Sequence, residues 1–198
     1  MRKQSTSICL ISIAASVLML GCLAWSQQSS SSQNMSTGKA FLDKAAQINL
    51  GEIELGKLAE QKGHNSAIRD FGKRMVEDHS KAQDQLKVVA EKEGISLPTQ
   101  PATSAMDLHH QLMQTSGAAF DQLYIQHMLS GHRGAIDAFD NEIEHGHNPE
   151  IKSYAENVLP VIQDHIRIAE DVAGKMELAG KNGLNQPDKA IAALAKPE

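Results

Sequence analysis

From Gly38 onward, apolar residues recur every three or four positions, the spacing that gathers one side of an α-helix into a stripe. The pattern breaks where helix stop and start signals sit, and it predicts four long helices. The first spans about residues 39–62, capped by Ser36 or Thr37 and stopped by Gly63; the second spans about 66–93, with Asn65 as N-cap and Gly94 beyond its end. The third spans about 117–145, between Ser116 and Gly146. The fourth has Asn148 as cap and Pro149 in its first position, where a missing N–H costs nothing, and runs to about 178. Pro160 inside it predicts a kink. Between the second and third helices, ISLPTQPATS cannot be helical throughout, and a short helix over about 105–115 follows.

The two halves look related. Gly63-His64-Asn65 and Gly146-His147-Asn148 occupy equivalent turns, Gly51 and Ile53 match Gly134 and Ile136, and Asp78-His79 corresponds to Asp164-His165. Two αα-hairpins joined by a connection long enough to cross the bundle form a ferritin-like four-helix plan; a plain up-down bundle is the alternative. The bundle domain is therefore expected over residues 38–180, with a flexible tail over 181–198.

The chain before Gly38 reads differently. Arg2 and Lys3, an apolar run from Ile8 to Leu20 and small residues after it have the three-part form of an export signal over residues 1–26. Two cleavage readings stand. Ala24-Trp25-Ser26 suits ordinary signal peptidase, which gives a periplasmic or secreted protein. Met19-Leu20-Gly21-Cys22 resembles a lipobox, which would acylate Cys22 and bring outer-membrane association, although Leu20 occupies a position where a small residue is usual. Residues 27–37, QQSSSSQNMST, are expected to be a disordered tether.

Composition narrows the chemistry. Aromatic residues make up only 4% and good helix formers abound, which supports an all-α fold. A net charge of -5 with interleaved signs offers no concentrated positive field, so nucleic-acid binding is not expected. The 2 cysteines, Cys9 and Cys22, both lie in the export signal, which removes disulfides and thiolate ligands from the mature domain.

Imidazole and carboxylate are then the strong metal ligands available, and the chain has 9 histidines. His79 lies on the apolar stripe of the second helix, His132 on that of the third, His165 on that of the fourth, and Glu52 on that of the first. Counting about 1.5 Å of rise per residue puts all four near mid-bundle within a spread of about 11 Å. They are the candidate ligands for a copper, zinc or iron ion. Met75 and Met128 stand one turn before inward histidines, where they serve either as core filler or as thioether ligands to copper. Asp78 and Asp164 point about 100° away from the neighbouring histidines and read as solvated charges. His64, His145 and His147 fall at turns, and the adjacent His109 and His110 cannot share a face. Val76 and Ile162 stand where a carboxylate-bridged di-iron bundle would place the Glu of its Glu-x-x-His pairs, which disfavours that chemistry. With no nucleophile motif, phosphate loop or haem-attachment motif, the sequence leans away from an enzyme.

FLDKAA…EIELGKLA from Phe41, RMVEDHSKA from Arg74, SGAAFDQLY from Ser116, HRGAIDAF from His132 and LPVIQDH from Leu159 resemble the bacterial family called domain of unknown function 4142. The resemblance covers about residues 38–172 and implies a ferritin-like helical bundle in an exported protein, often periplasmic or outer-membrane-associated. Two functions are expected to compete: a periplasmic or envelope protein that binds a metal ion for metal handling or stress, and a structural or interaction module whose histidines only complete its core.

Overall fold

The computed structural model describes the backbone of residues 16–184 and the side chains of residues 37–177. Its helices are α1 (Ser16–Lys62), α2 (Ser66–Lys92), α3 (Thr103–Met113), α4 (Gly117–His145) and α5 (Pro149–Leu184), with no strand among the described residues. The all-α expectation holds. The side chains of the expected export signal, Cys22 included, and most of the expected C-terminal tail lie outside the described residues. Where a disordered spacer was expected at 27–37 and a cap at Ser36 or Thr37, the backbone of α1 is continuous, so neither residue starts the helix. No Gly or Pro interrupts residues 22–37, so no residue there forces the helix to stop. Among the described residues, no helix is long and apolar enough to cross a membrane.

Asn65 and Asn148 cap as the sequence predicts. The Asn65 side chain accepts the Ala67 N–H at 2.9 Å, and Asn148 Oδ1 accepts the N–H groups of Glu150 and Ile151 at 2.9 and 3.1 Å. Ser116 does not: its backbone is extended as a cap requires, but its side chain makes no capping bond, and the chain enters α4 through Gly117 at φ 63°. The short helix α3 begins and ends two residues before the expected 105–115. Helix α5 runs unbroken through Pro160; Glu156, whose carbonyl loses its N–H partner, is exposed like Pro160 itself, so water can replace the bond.

Helices α1 and α2 pack as one antiparallel hairpin and α4 and α5 as another; the hairpins meet through α2 with α5 and α1 with α4, while α3 lies along α1. Their turns sit at opposite ends. Asp121, in the first turns of α4, accepts the His64 and Asn65 N–H groups at 2.8 Å each and so fastens the start of α4 to the α1–α2 turn. At the far end, Asn148 donates to Glu93 at 2.6 Å and Lys92 pairs with Glu150 at 2.9 Å, joining the α4–α5 turn to the end of α2. The connection between hairpins must therefore travel the length of the molecule, which is why it is long and carries α3. Lys62 Nζ ties the end of α3 back to α1 through the carbonyls of Leu112 and Met113 at 3.1 and 2.6 Å.

The apolar interior is divided in two. One cluster gathers Phe41, Leu42, Leu86, Phe139, Tyr154 and Ile162; the other gathers Leu55, Phe71, Met75, Phe120, Tyr124 and Met128. Between them every long helix contributes buried polar side chains: Asn49 and Glu52 from α1, His79 and Gln83 from α2, His132 from α4 and His165 from α5. Buried polar groups cost stability unless their hydrogen bonds are met.

Candidate metal centre

Three of the four expected ligands come together. One ring nitrogen from each of His79, His132 and His165 lies within 4.8 Å of the others, and all three side chains are at most 3% exposed. The ring centroids are 5.3 to 5.7 Å apart. The rings meet more closely than the heights of their Cα atoms along the bundle imply. Side chains lean toward the N-terminus of their own helix. With α5 antiparallel to α2 and α4, His165 leans up as His79 and His132 lean down, and the imidazoles converge.

The outer partner of each ring fixes which nitrogen carries the proton. His132 Nδ1 is 2.9 Å from the Met128 carbonyl, which can only accept, so Nδ1 donates and Nε2 keeps its lone pair. His165 Nε2 is 3.1 Å from an Asp78 carboxylate oxygen, so it donates and Nδ1 is the lone pair. His79 Nδ1 is 3.0 Å from Asn49 Oδ1; Asn49 is held in that orientation because its amide nitrogen donates to Gln83 Oε1 at 3.2 Å and to the Tyr154 hydroxyl at 3.3 Å. His79 Nε2 is then also a bare lone pair, buried and with no hydrogen-bond partner among the described residues. His132 Nε2 and His165 Nδ1 approach to 3.3 Å, a separation at which two acceptors repel unless a proton or a cation lies between them.

The field around the rings favours their neutral forms. Burial, and then the positive charge that His132 and His165 would carry, hold the His79 imidazole well below its ordinary range. Burial and the neighbouring His165 push His132 down to about 3, against a small opposing effect of its bond to Met128. Burial lowers His165 too, although the hydrogen bond and charge of Asp78 oppose it. Burial pushes the Asp78 carboxyl up, but hydrogen bonds from His165 and Arg74 outweigh it and keep the carboxylate ionised. Arg74 spans two helices, donating to Asp78 at 2.9 Å and to Asp164 at 3.2 Å.

Glu52 stands apart from this triad. Its carboxyl lines a cavity beside His132 and is pushed up to about 8 by burial; one oxygen, Oε2, has no hydrogen-bond partner among the described residues. Met128 serves the centre with its carbonyl, and its side chain, like that of Met75, belongs to the apolar cluster below the triad. Asp78, expected to be a solvated charge, is instead the orienting partner of His165, with 16% of its side chain exposed. The expected internal symmetry fails here, since Asp164 pairs with Arg74 and Arg167 rather than with His79.

Three neutral imidazole donors with fixed tautomers suit transition-metal ions of intermediate softness; hard Mg²⁺ and Ca²⁺ prefer oxygen sets that this centre lacks.

A family model described as a domain of unknown function, DUF4142, matches residues 24–172. No curated protein matches the chain in sequence. The crystal structure of a DUF305 fragment from Deinococcus radiodurans superposes with a TM-score of 0.59 over 72% of this chain and 96% of that one, at 16% identity, a likeness of fold.

Proposed function

We propose that the chain, which belongs to the DUF4142 family, is an exported helical bundle that binds one copper or zinc ion through His79, His132 and His165. One observation carries the reading: one ring nitrogen from each of three buried histidines lies within 4.8 Å of the others, while Asn49, Met128 and Asp78 accept from the outer ring nitrogens. A histidine layer that merely completed a core would give each inner nitrogen a donor, and His79 Nε2 has none among the described residues. Imidazole sets suit both metals, and copper(II) heads the usual divalent affinity order. The two-hairpin arrangement with its long connection supports a ferritin-like plan. The signal-like pattern of residues 1–26 supports periplasmic or secreted placement, with lipid anchoring through Cys22 as the other form of export.

The test is metal analysis of untagged protein recovered from the cell envelope, with equilibrium dialysis against Zn²⁺ and Cu²⁺. About one ion per chain is expected for the wild type and for His64→Ala, and none at the same concentration for His79→Ala. Uptake unchanged in His79→Ala, or no stoichiometric metal in the wild type, would leave the structural reading in its place. Intact mass of the same preparation reads the export step: a chain beginning near Gln27, or an acylated one beginning at Cys22, is expected. A mass that retains residues 1–20 contradicts both.

A further inference from the structure

A cavity of about 150 Å³ lies beside the triad, bounded by α1, α3, α4 and α5. Its outer wall includes exposed Ser104 and half-buried Gln47 and His127, and its inner wall includes buried Glu52, His132 and Ile162. It thus runs from the surface to a triad histidine. Water needs only about 10–15 Å³ of such space, so a partly hydrated ion fits.

Gly131 sets its bore. A side chain there would place its Cβ 3.6 Å from His127 Nε2 and 3.9 Å from Glu52 Oε1, so the absent group is the space between an imidazole and a carboxyl. The next residue in the chain is His132. Glu52 is 6% exposed, and its Oε2 lacks a donor among the described residues, a costly arrangement in a core unless a partner comes and goes. The other flanks are covered: the Asp78 carboxylate and Arg74 guanidinium lie over His165, and the Asn49, Gln83 and Tyr154 network lies over His79.

We propose that this cavity is the passage by which a divalent metal ion reaches the triad, with Glu52 and His127 as transit ligands on either side of Gly131. The inference rests on the triad being a metal site and adds the route. A buried carboxyl that gives its proton to water as the cation arrives, together with an imidazole, lets the ion exchange waters for protein ligands one at a time, so that it is never stripped in an apolar channel.

Stopped-flow loading of the full-length protein with Co²⁺, read by visible absorption of the nitrogen-bound ion, tests this alongside the equilibrium dissociation constant. In Gly131→Ala the methyl would meet its neighbours at ordinary contact distance. Association and dissociation are both expected to slow, on the order of tenfold, with the dissociation constant unchanged. Glu52→Gln keeps the shape but cannot offer an anionic oxygen, and it too should slow association. Wild-type rates in both variants would overturn the route while leaving the triad intact. A greatly weakened dissociation constant in Glu52→Gln would make Glu52 a ligand of the final site and also overturn it. Absence of Co²⁺ binding to the wild type would remove both the route and the triad reading. A melting curve for each variant verifies folding, and if Gly131→Ala fails to fold, Glu52→Gln decides.

Discussion

At the scale of single residues, the centre depends as much on the atoms behind the imidazoles as on the imidazoles themselves. The inward histidines were legible because each interrupts an apolar stripe of period 3.6. Their partners were not. Asp78 follows Glu77 and precedes His79, and a rotation of about 100° from an inward residue reads as outward facing. In the folded molecule that direction looks across to α5, so a residue off the stripe reaches His165 on a neighbouring helix. Helical periodicity tells which face is buried but not which neighbour flanks it. Because Asp78 fixes the tautomer of His165 and raises its basicity, Asp78→Asn is expected to weaken metal binding about 10- to 100-fold with stoichiometry unchanged. Competition against a chelator of known affinity measures this. Equal affinities in variant and wild type would reduce Asp78 to a surface partner of Arg74.

At the scale of elements, caps and glycines carried most of what could be read in advance. Asn65 and Asn148 mark their helix starts with side chains that accept N–H groups, a local signal. Ser116 carries the same signal without the bond, since Gly117 at positive φ sets the entry into α4. Closeness between helices was hidden, because it depends on which glycine meets which backbone. A Cβ on Gly72 would lie 2.7 Å from the Gly56 carbonyl oxygen, 2.8 Å from Ala59 Cβ and 2.9 Å from the Glu60 nitrogen, so α1 and α2 touch backbone to backbone. Gly134 has nothing within 4 Å of the same point. Both are helical, and Ala in place of Gly favours a helix by about 1 kcal/mol. Gly134→Ala should therefore be neutral or stabilising by up to about 1 kcal/mol, whereas Gly72→Ala should lose about 1–3 kcal/mol to overpacking despite the same gain. Urea unfolding of the two variants distinguishes these signs, and a stabilised Gly72→Ala would show that α1 and α2 do not meet backbone to backbone at Gly72.

At the scale of the whole molecule, two antiparallel hairpins with turns at opposite ends bring four helices past one another at mid-height, where the apolar core gives way to a polar layer. The pH response of that layer belongs to the entire fold. The triad imidazoles are held below 6.5 in the folded state, chiefly by burial, with His132 at about 3. The unfolded chain then binds more protons than the folded one, so stability rises with pH across that window. The contribution of the histidines is fully present above about 6.5 and is lost as pH falls toward the folded values. Glu52 works in the opposite sense: raised from 4.5 to about 8, it contributes fully below 4.5, and its contribution is lost as pH rises through about 8. Metal binding at the proposed site should follow the triad, since only neutral imidazoles coordinate. An exposed histidine site empties as pH falls through about 6.5. Here the rings stay neutral further into acid, so the ion should be held where an exposed site has released it. With Zn²⁺ at about 100 times its dissociation constant, the folded state should gain about 2.7 kcal/mol at pH 7.5, seen as a melting temperature higher by about 5–10 °C. Most of that gain should persist at pH 5.5, even as the metal-free protein melts earlier there, and it should be absent in His79→Ala at both pH values. Scanning calorimetry with and without Zn²⁺ at the two pH values decides the matter. A gain that vanishes with a midpoint near 6.5 would mean that the ion sits on surface histidines instead of in the buried triad.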